Sequence, residues 1–138
     1  MIEVNNPSVI AKAKTVENNE WVEGYYYKLG DSDYIMYGEN SFLSAKIIPE
    51  TLCFFTGSVD SSGKRIFSRD VIRSYNVFGE YESTDVVTWS SLFSAWHRGE
   101  ITTVYGRGHK YSVLGNLIDN PALEEIVDPY KISKYGSN

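Results

Sequence analysis

Short apolar segments separated by polar turns recur along the chain, and this pattern predicts a mainly β fold. The residues from Val9 to Lys14 alternate between apolar and basic side chains, which is typical of a half-buried strand. Trp21 to Lys28 follows a polar turn, so we expect the first two strands to form a hairpin. Further strands are predicted at Tyr34–Tyr37, Ser44–Ile48, Leu52–Phe55, Val71–Phe78, Thr84–Trp89, Thr102–Tyr105 and Tyr111–Leu117. Regular short strands of this kind favour a small barrel or a curled antiparallel sheet.

One segment near the carboxyl end has the chemistry of a helix start. Asn120 is a favoured cap residue, Pro121 suits the first helical position, and Glu124 and Glu125 place acids in the first turn. The sequence therefore predicts one short helix from Pro121 to Val127.

A polar reversal, DSSG at positions 60–63, follows the apolar run that ends at Phe55. Asp60 stands where a carboxylate can accept a hydrogen bond from a backbone N–H two residues later. Gly63 supplies a positive φ without steric cost, so the segment predicts a hairpin with a bulge. Asp70 directly precedes the β-branched pair at 71–72 and marks the start of another strand.

The segment at 51–72, TLCFFTGSVDSSGKRIFSRDVI, resembles the signature of the YopX family of bacteriophage and prophage proteins, roughly TvgQyTGlkDknGkkIyegDIv. The matching positions are Thr51, Phe55, Thr56, Gly57, Asp60, Gly63, Lys64, Ile66, Asp70, Val71 and Ile72. Phe54 replaces the usual Gln, and Ser68 and Arg69 stand where the family pattern has Glu and Gly.

Two further blocks of the chain resemble the same family in the same order. Residues 9–27 are similar to the pattern kFRGKr…geWVyGyl, with Ala11 and Ala13 in place of Phe and Gly. Residues 114–123, LGNLIDNPAL, are similar to iGNiyeNPeL and include Gly115, Asn116, Asn120 and Pro121. From Tyr75 to His109 the chain matches the family poorly, except for VVTW at 86–89, which contains Trp89. The resemblance implies a mainly β structure, in which part of the sheet can form an SH3-like barrel, and no established biochemical activity.

Length and composition limit the class of protein. At 138 residues the chain is expected to be one domain, 1–138, with two subdomains of about 1–50 and 51–138 as the alternative. The single cysteine, Cys53, cannot form an internal disulfide, so we expect a reducing cytoplasm. The resemblance to a phage family implies that this is the cytoplasm of a bacterial host cell. No signal peptide or membrane-length apolar run is found, so no membrane association is predicted.

The residues that could carry catalysis or bind a metal show no suitable spacing. His97, His109 and Cys53 contain no closely spaced pair of ligands, so neither a metal nor another cofactor is predicted. Three acids, Glu80, Glu82 and Asp85, are interpreted as solvated loop charges in preference to paired catalytic carboxylates. No catalytic residue is assigned.

Basic residues form the one candidate binding constellation, which we call the basic rim. Its members are Lys64, Arg65, Arg69, Arg73, Arg98, Arg107 and Lys110. Small barrels use such rims, with aromatic residues such as Tyr105 and Tyr111 nearby, to hold single-stranded nucleic acid. The alternative is scattered solubilising charge, which the net charge of −5 favours.

The leading hypothesis is a phage-type, non-enzymatic binding or assembly module. No compact set of nucleophile, base and oxyanion donors is apparent, and a small tyrosine-rich β chain must cover its strand edges and apolar patches. The expected partner is a second copy, giving a homo-oligomer, or a phage or host protein. Two alternatives stay open: a nucleic-acid-associated accessory protein using the basic rim, and an enzyme whose site is not visible in the sequence.

Overall fold

The computed structural model describes residues 10–88 and 109–128 in full, and the backbone of residues 89–90 and 95–98. The described residues form ten strands: β1 (Ile10–Lys14), β2 (Trp21–Leu29), β3 (Ser32–Tyr37), β4 (Leu43–Lys46), β5 (Cys53–Val59), β6 (Arg65–Phe67), β7 (Asp70–Tyr75), β8 (Tyr81–Ser90), β9 (Ala95–Arg98) and β10 (Lys110–Asn116). Short 3-10 helices span Glu39–Ser41, Pro49–Thr51 and Pro121–Ile126. The mainly β prediction is therefore confirmed, while the predicted strand Thr102–Tyr105 lies outside the described residues.

The strands form two antiparallel sheets. One has the order β4-β3-β2-β1-β5-β6, and the other has the order β10-β7-β8-β9. The chain also divides into two compact units, Met1–Gly57 and Ser58–Asn138, with the boundary inside β5.

In the first unit the sheet curls so that the end of its edge strand β4 reaches the end of β1, and a single β-bridge joins the two. Thr15, just after β1, pairs with Ile47, just after β4. The N–H of Val16 donates to the carbonyl of Lys46 at 2.9 Å, which fixes the bridge from one side. One bridge does not make a continuous ladder, so the described residues form the curled antiparallel sheet and not the closed barrel.

The core of the first unit lies inside this curl. Alternation along β1 buries Ala11 and Ala13, while Lys12 and Lys14 point to the opposite face. Both alanines are fully buried and cluster with Ile35 and Ile47. The two small side chains, which replace Phe and Gly of the family pattern, let the isoleucines approach the strand closely.

A buried polar group lies on the same inner face. The Tyr26 hydroxyl donates a hydrogen bond to the Asp33 carboxylate, and the Lys28 ammonium lies 3.5 Å from the same oxygen. Burial, together with the negative charge of Asp33, raises the pKa of Tyr26 to about 12. The phenol therefore stays protonated and continues to donate across the physiological pH range.

The second unit has its own core, built on β6, β7, β8 and β10. Its buried members are Ile66, Ile72, Val87 and Tyr111, with Val113 packed against them. Some polar residues are also buried in this unit, and one such pair is hydrogen-bonded: the Ser83 hydroxyl donates to Asp85 Oδ2 at 2.6 Å. Buried polar groups are tolerated when they are paired in this way.

The predicted strand Val71–Phe78 is too long, because the chain reverses at Asn76. The Asn76 side-chain oxygen accepts hydrogen bonds from the N–H groups of Phe78 (2.9 Å) and Glu80 (3.0 Å). Gly79 supplies the positive φ, 82°, that the turn requires. β7 therefore ends at Tyr75, and the return strand, β8, begins at Tyr81.

The predicted carboxy-terminal helix is present as the 3-10 helix Pro121–Ile126. Asn120 precedes it but makes no side-chain capping bond; its N–H donates to the carbonyl of Asn116 at 2.8 Å. Its side chain lies so close to Gly115 that a Cβ there would be 2.7 Å from Asn120 Oδ1. None of the helices among the described residues has the length and apolar character needed to cross a membrane.

The turn at Gly63 yields a test of the hairpin. Gly63 has a φ of 88°, and a Cβ at this position would meet no atom within 4 Å. The cost of a side chain therefore comes from the backbone alone. We expect Gly63→Val to lower the free energy of unfolding by about 1–2 kcal/mol, measured by urea denaturation.

Asn tolerates the left-handed region better than Val, so Gly63→Asn is the matched control and should cost less. Equal stabilities of the Val variant and the wild type would contradict the assignment.

Candidate functional site

The Asp60 carboxylate joins the hairpin between β5 and β6 to strand β10. Its Oδ1 accepts hydrogen bonds from the Ser62 N–H (2.9 Å), the Ser62 hydroxyl (2.8 Å) and the Lys64 N–H (2.9 Å). Its Oδ2 accepts one from the Val113 N–H at 3.0 Å. The carboxylate is buried and engaged on both oxygens, so its role is to hold backbone in place.

These contacts keep Asp60 ionised. Burial alone would raise the pKa of the carboxyl, but hydrogen bonds from Val113, Ser62 and Lys64 outweigh it and hold the pKa below its ordinary value. Ser61 reinforces the same junction, because its N–H and its hydroxyl both donate to the carbonyl of Tyr111, at 2.8 and 3.0 Å.

An open depression of about 330 Å³ lies beside this junction. Its lining residues are Val59, Asp60, Ser61, His109, Lys110 and Tyr111. His109 Nε2 is 3.4 Å from Glu82 Oε1, and Asp60 and Ser61 already bind backbone groups. The acid and the serine hydroxyl of this lining are therefore engaged in holding the fold together.

The turn between β6 and β7 is fixed by a second carboxylate and by a left-handed residue. Asp70 is buried, and its Oδ2 accepts the Phe67 N–H at 2.8 Å. Arg69 has a φ of 71°, and its N–H donates to the carbonyl of Val87 at 2.9 Å. The carbonyl of Arg69 accepts the N–H of Leu117 at 3.1 Å. The family pattern has Gly at position 69, which a left-handed backbone favours.

Two further polar side chains of the family-like blocks, Thr51 and Asn116, also accept hydrogen bonds from backbone N–H groups. The Thr51 hydroxyl oxygen accepts the Lys14 N–H at 2.8 Å. The Asn116 side-chain oxygen accepts the N–H groups of Ile118 (3.0 Å) and Asp119 (2.8 Å), forming a turn after β10. Thr51 and Asn116, like Asp60 and Asp70, therefore bind backbone groups of the chain itself.

For the remaining motif positions the structure gives the backbone conformation and pairing. Thr56 is half-buried in β5, and Gly57, beside it, has a φ of 96°. The backbone of Trp89 pairs with that of Trp96, while both side chains lie outside the described residues.

The described part of the basic rim is spread over several elements. Lys64 and Arg65 are exposed at the β5–β6 hairpin, and Arg69 is exposed in the following turn. Arg107 and the side chain of Arg98 lie outside the described residues. Tyr111, expected to support the rim, is only 5% exposed and belongs to the core.

Two rim residues, Arg73 and Lys110, do share one face of the second sheet. Arg73 lies opposite Ser112 and Lys110 opposite Tyr75, which places both side chains on the same side. The Arg73 guanidinium is 5.8 Å from the centre of the Tyr81 ring, and the Tyr75 and Tyr81 rings lie 6.3 Å apart.

Acids are interspersed with these cations. Glu82 pairs with His109, and the Asp128 carboxylate accepts hydrogen bonds from the Tyr81 hydroxyl (3.0 Å) and the Thr84 N–H (2.9 Å). The described part of this face therefore carries mixed charge.

The acids considered as a catalytic pair are engaged separately. Glu80 accepts a hydrogen bond from the Asn76 amide at 3.0 Å, Glu82 faces His109, and Asp85 is buried beside Ser83. Within the described ranges no group of three or more His, Cys, Asp or Glu side chains could hold a metal ion. Cys53 is buried, and its thiol donates to the carbonyl of Thr51.

Sequence reasoning missed a surface in the first unit, which we call the outer face. It is the side of β1 to β4 that points away from the alanine core. It carries Lys12, Lys14, Trp21, Tyr25, Tyr27, Tyr34 and Lys46, together with Glu23, Met36 and Ser44. Period-two alternation in β1 and β2 was the signal that could have found it.

Comparison with known proteins places most of the chain in one family. A family model described as YopX protein matches residues 1–125. No curated protein and no solved structure matches the chain.

The Asp60 contacts predict a pH-dependent effect on stability. Asp60→Asn should lower the free energy of unfolding at neutral pH by about 1–3 kcal/mol, because an amide nitrogen would face backbone N–H donors. The folded-state pKa lies below the unfolded value of 3.8, so the carboxylate's contribution is complete above that value. It is lost as the pH falls through the folded-state pKa, and the two proteins should then converge.

Urea denaturation between pH 7 and pH 2.5 measures this difference. Asp31→Asn, at an exposed turn residue, is the control and should show no such convergence. A constant difference at every pH would exclude the charged carboxylate as the cause.

Because the backbone of Arg69 is left-handed, glycine should be more stable than alanine at this position, the reverse of the usual order within a strand. Arg69→Gly and Arg69→Ala both remove the side chain, but only glycine relieves the strain, so the Gly variant should be more stable by about 1 kcal/mol. At Arg65, in strand β6, the same pair of substitutions should show the opposite order. Thermal unfolding of the four variants tests both statements, and an Ala variant as stable as the Gly variant at position 69 would refute the strain.

Proposed function

The chain belongs to the YopX protein family, and we propose that it is a non-enzymatic binding and assembly module. Support comes from the way its side chains are used. Polar residues of the family-like blocks, such as Thr51, Asp60 and Asn116, bind backbone groups of the chain itself. The two most exposed of the large apolar side chains that the structure describes, Phe42 and Phe78, stand in contrast at turns.

The observation that carries the proposal is the tip of the β7–β8 hairpin. Phe78 is 83% exposed and Val77 is 56% exposed. Both stand on a turn held by the Asn76 side chain and by the N–H of Gly79, which donates to the carbonyl of Asn76 at 2.9 Å. An aromatic ring held on a rigid turn loses little conformational entropy on binding, which suits an anchor for a protein partner.

A second exposed pair lies in the other unit, after β3. Phe42 is 84% exposed and Leu43 is 53% exposed. The preceding residues Asn40 and Ser41 have φ values of 61° and 57°, a left-handed conformation that costs roughly 1–2 kcal/mol for each such residue. Strain retained next to an exposed aromatic side chain supports a functional role for that connection.

The partner we propose first is a second copy of the chain, in a closed symmetric assembly, with a phage or host protein as the alternative. Part of the proposal is the setting, the cytoplasm of a bacterial cell that carries a phage or prophage. The basic rim has weaker support as a nucleic-acid interface, because Glu82 and Asp128 lie among its described cations.

Removing the hairpin anchor should weaken assembly without weakening the fold. We expect the wild-type chain to associate at high micromolar concentration in sedimentation velocity experiments. Phe78→Ser should raise the dissociation constant at least about thirtyfold, which corresponds to a loss of about 2 kcal/mol in binding free energy. Its melting temperature should stay unchanged, because the ring is exposed.

Leu29→Ser is the matched control, since Leu29 is 53% exposed at a different turn and its loss should leave association intact. A wild-type chain that stays monomeric under these conditions would contradict the assembly proposal. If both substitutions weakened self-association equally, the proposal would also be contradicted, because association would then depend on exposed apolar area in general and not on the hairpin tip.

A further inference from the structure

The strand register of the first unit collects aromatic and basic side chains on the outer face. Lys14 lies opposite Trp21 across β1 and β2, and Tyr27 lies opposite Tyr34 across β2 and β3. Tyr34 in turn lies opposite Lys46 across β3 and β4. Directly opposite residues in an antiparallel pair point to the same side, so these side chains share one surface.

The centre of this surface is aromatic. The rings of Tyr27 and Tyr34 stack with centroids 5.3 Å apart and an angle of 12° between their planes. Tyr25 lies two residues before Tyr27 on the same strand and opposite Met36. All of these side chains are half-buried, so they cover the sheet and still present surface to solvent.

Positive charge flanks the aromatic centre on both sides. The ammonium groups of Lys12 and Lys14 lie 4.8 and 5.4 Å from the centre of the Trp21 ring. Lys46, on the β4 side, is exposed. Glu23, opposite Lys12, is the acid among the β1–β4 residues that the register places on this face. Among the β1–β4 residues of this face, three lysines thus stand beside one acid, although the whole chain carries −5.

We propose that the outer face binds single-stranded nucleic acid without strong sequence preference. Bases stack on Tyr25 and on the Tyr27–Tyr34 pair, and phosphates lie near the lysines. Aromatic side chains bordered by cations are the combination that single-strand-binding proteins use, because every base presents a π-face. This activity goes beyond the proposed assembly function, since it uses a different surface in the other unit from the Phe78 hairpin.

The composition of the face favours nucleic acid over a protein partner. Tyrosine and tryptophan are enriched in both kinds of interface, whereas lysine is depleted from protein interfaces and supplies phosphate contacts in nucleic-acid ones. A single strand fits better than a duplex, because only unpaired bases can be turned outward to stack on side chains.

The negative net charge of the chain opposes the long-range approach of a nucleic acid, but it has little effect on a phosphate already in contact with a lysine. At physiological ionic strength, charges more than about 8 Å apart are largely screened, so a bound phosphate responds mainly to the nearest lysines. Binding is therefore expected to be modest in affinity and sensitive to salt.

The test uses the full chain and a fluorescein-labelled oligothymidylate, with anisotropy measured over a series of salt concentrations. Each phosphate contact contributes about −0.7 to the slope of log K against log salt for a single strand, so three lysines predict about −2. Lys46→Gln should reduce the slope by about 0.7. Tyr25→Leu should weaken binding at least about fivefold and leave the slope unchanged.

Two control variants separate this surface from other charges. Lys28→Gln removes the same charge from the same sheet, but Lys28 faces Asp33 on the inner side, so binding should change little. Arg65→Gln combined with Arg69→Gln removes two residues of the basic rim and should also leave binding unchanged. Thermal unfolding of every variant shows whether the fold is retained.

The remaining outcomes would overturn the proposal. These are no binding at low salt, equal effects of Lys28→Gln and Lys46→Gln, loss of binding in the Arg65 and Arg69 variant, and equal affinity for a duplex. If Tyr25→Leu is too unstable to measure, Tyr34→Leu replaces it with the same expectation. Failure here leaves the Phe78 experiment unaffected, because that experiment measures self-association without nucleic acid.

Discussion

The second unit depends on one buried carboxylate, that of Asp60. It ties a hairpin to a strand 53 residues later in the chain, through the Val113 N–H, while closing the hairpin through Ser62 and Lys64. A buried charge is costly to remove from water unless hydrogen bonds satisfy it, and here both oxygens are satisfied. This junction and the ladder with β7 together position β10, and with it the core residue Tyr111.

Side chains with chemically useful groups are used in the same way at other turns. Asp70 fixes the β6–β7 turn and Asn116 the turn after β10. Several polar positions by which the chain resembles its family therefore fix turns, while matching apolar positions such as Ile66 and Ile72 belong to the core. A chain of this kind can change its exposed surfaces without changing its fold, which is why family membership alone does not specify a partner.

Local rules predicted most of the strands and the turn at Gly63, because alternation and turn chemistry act over a few residues. These rules failed where contacts between residues far apart in the sequence determine the burial or the conformation of a residue. The curl closed by Ile47 and the burial of Tyr111 depend on strand register, which no short segment contains. Arg69 adopts a left-handed conformation against its own preference because its N–H and its carbonyl are both held by other elements. The outer face was missed because it is a property of four paired strands.

Asp128 has a consequence for how copies of the chain can meet. Its carboxylate accepts the Thr84 N–H, and its own N–H donates to the Thr84 carbonyl at 2.9 Å. One residue thus occupies the hydrogen-bonding groups that a neighbouring strand would use at this point of β8. A strand blocked in this way is a poor template for adding a foreign strand, which guards against open-ended, fibre-like growth. Under the proposed self-association, copies of the chain would therefore not add to β8 at Thr84 and would meet through other surfaces, such as the side chains at the hairpin tips.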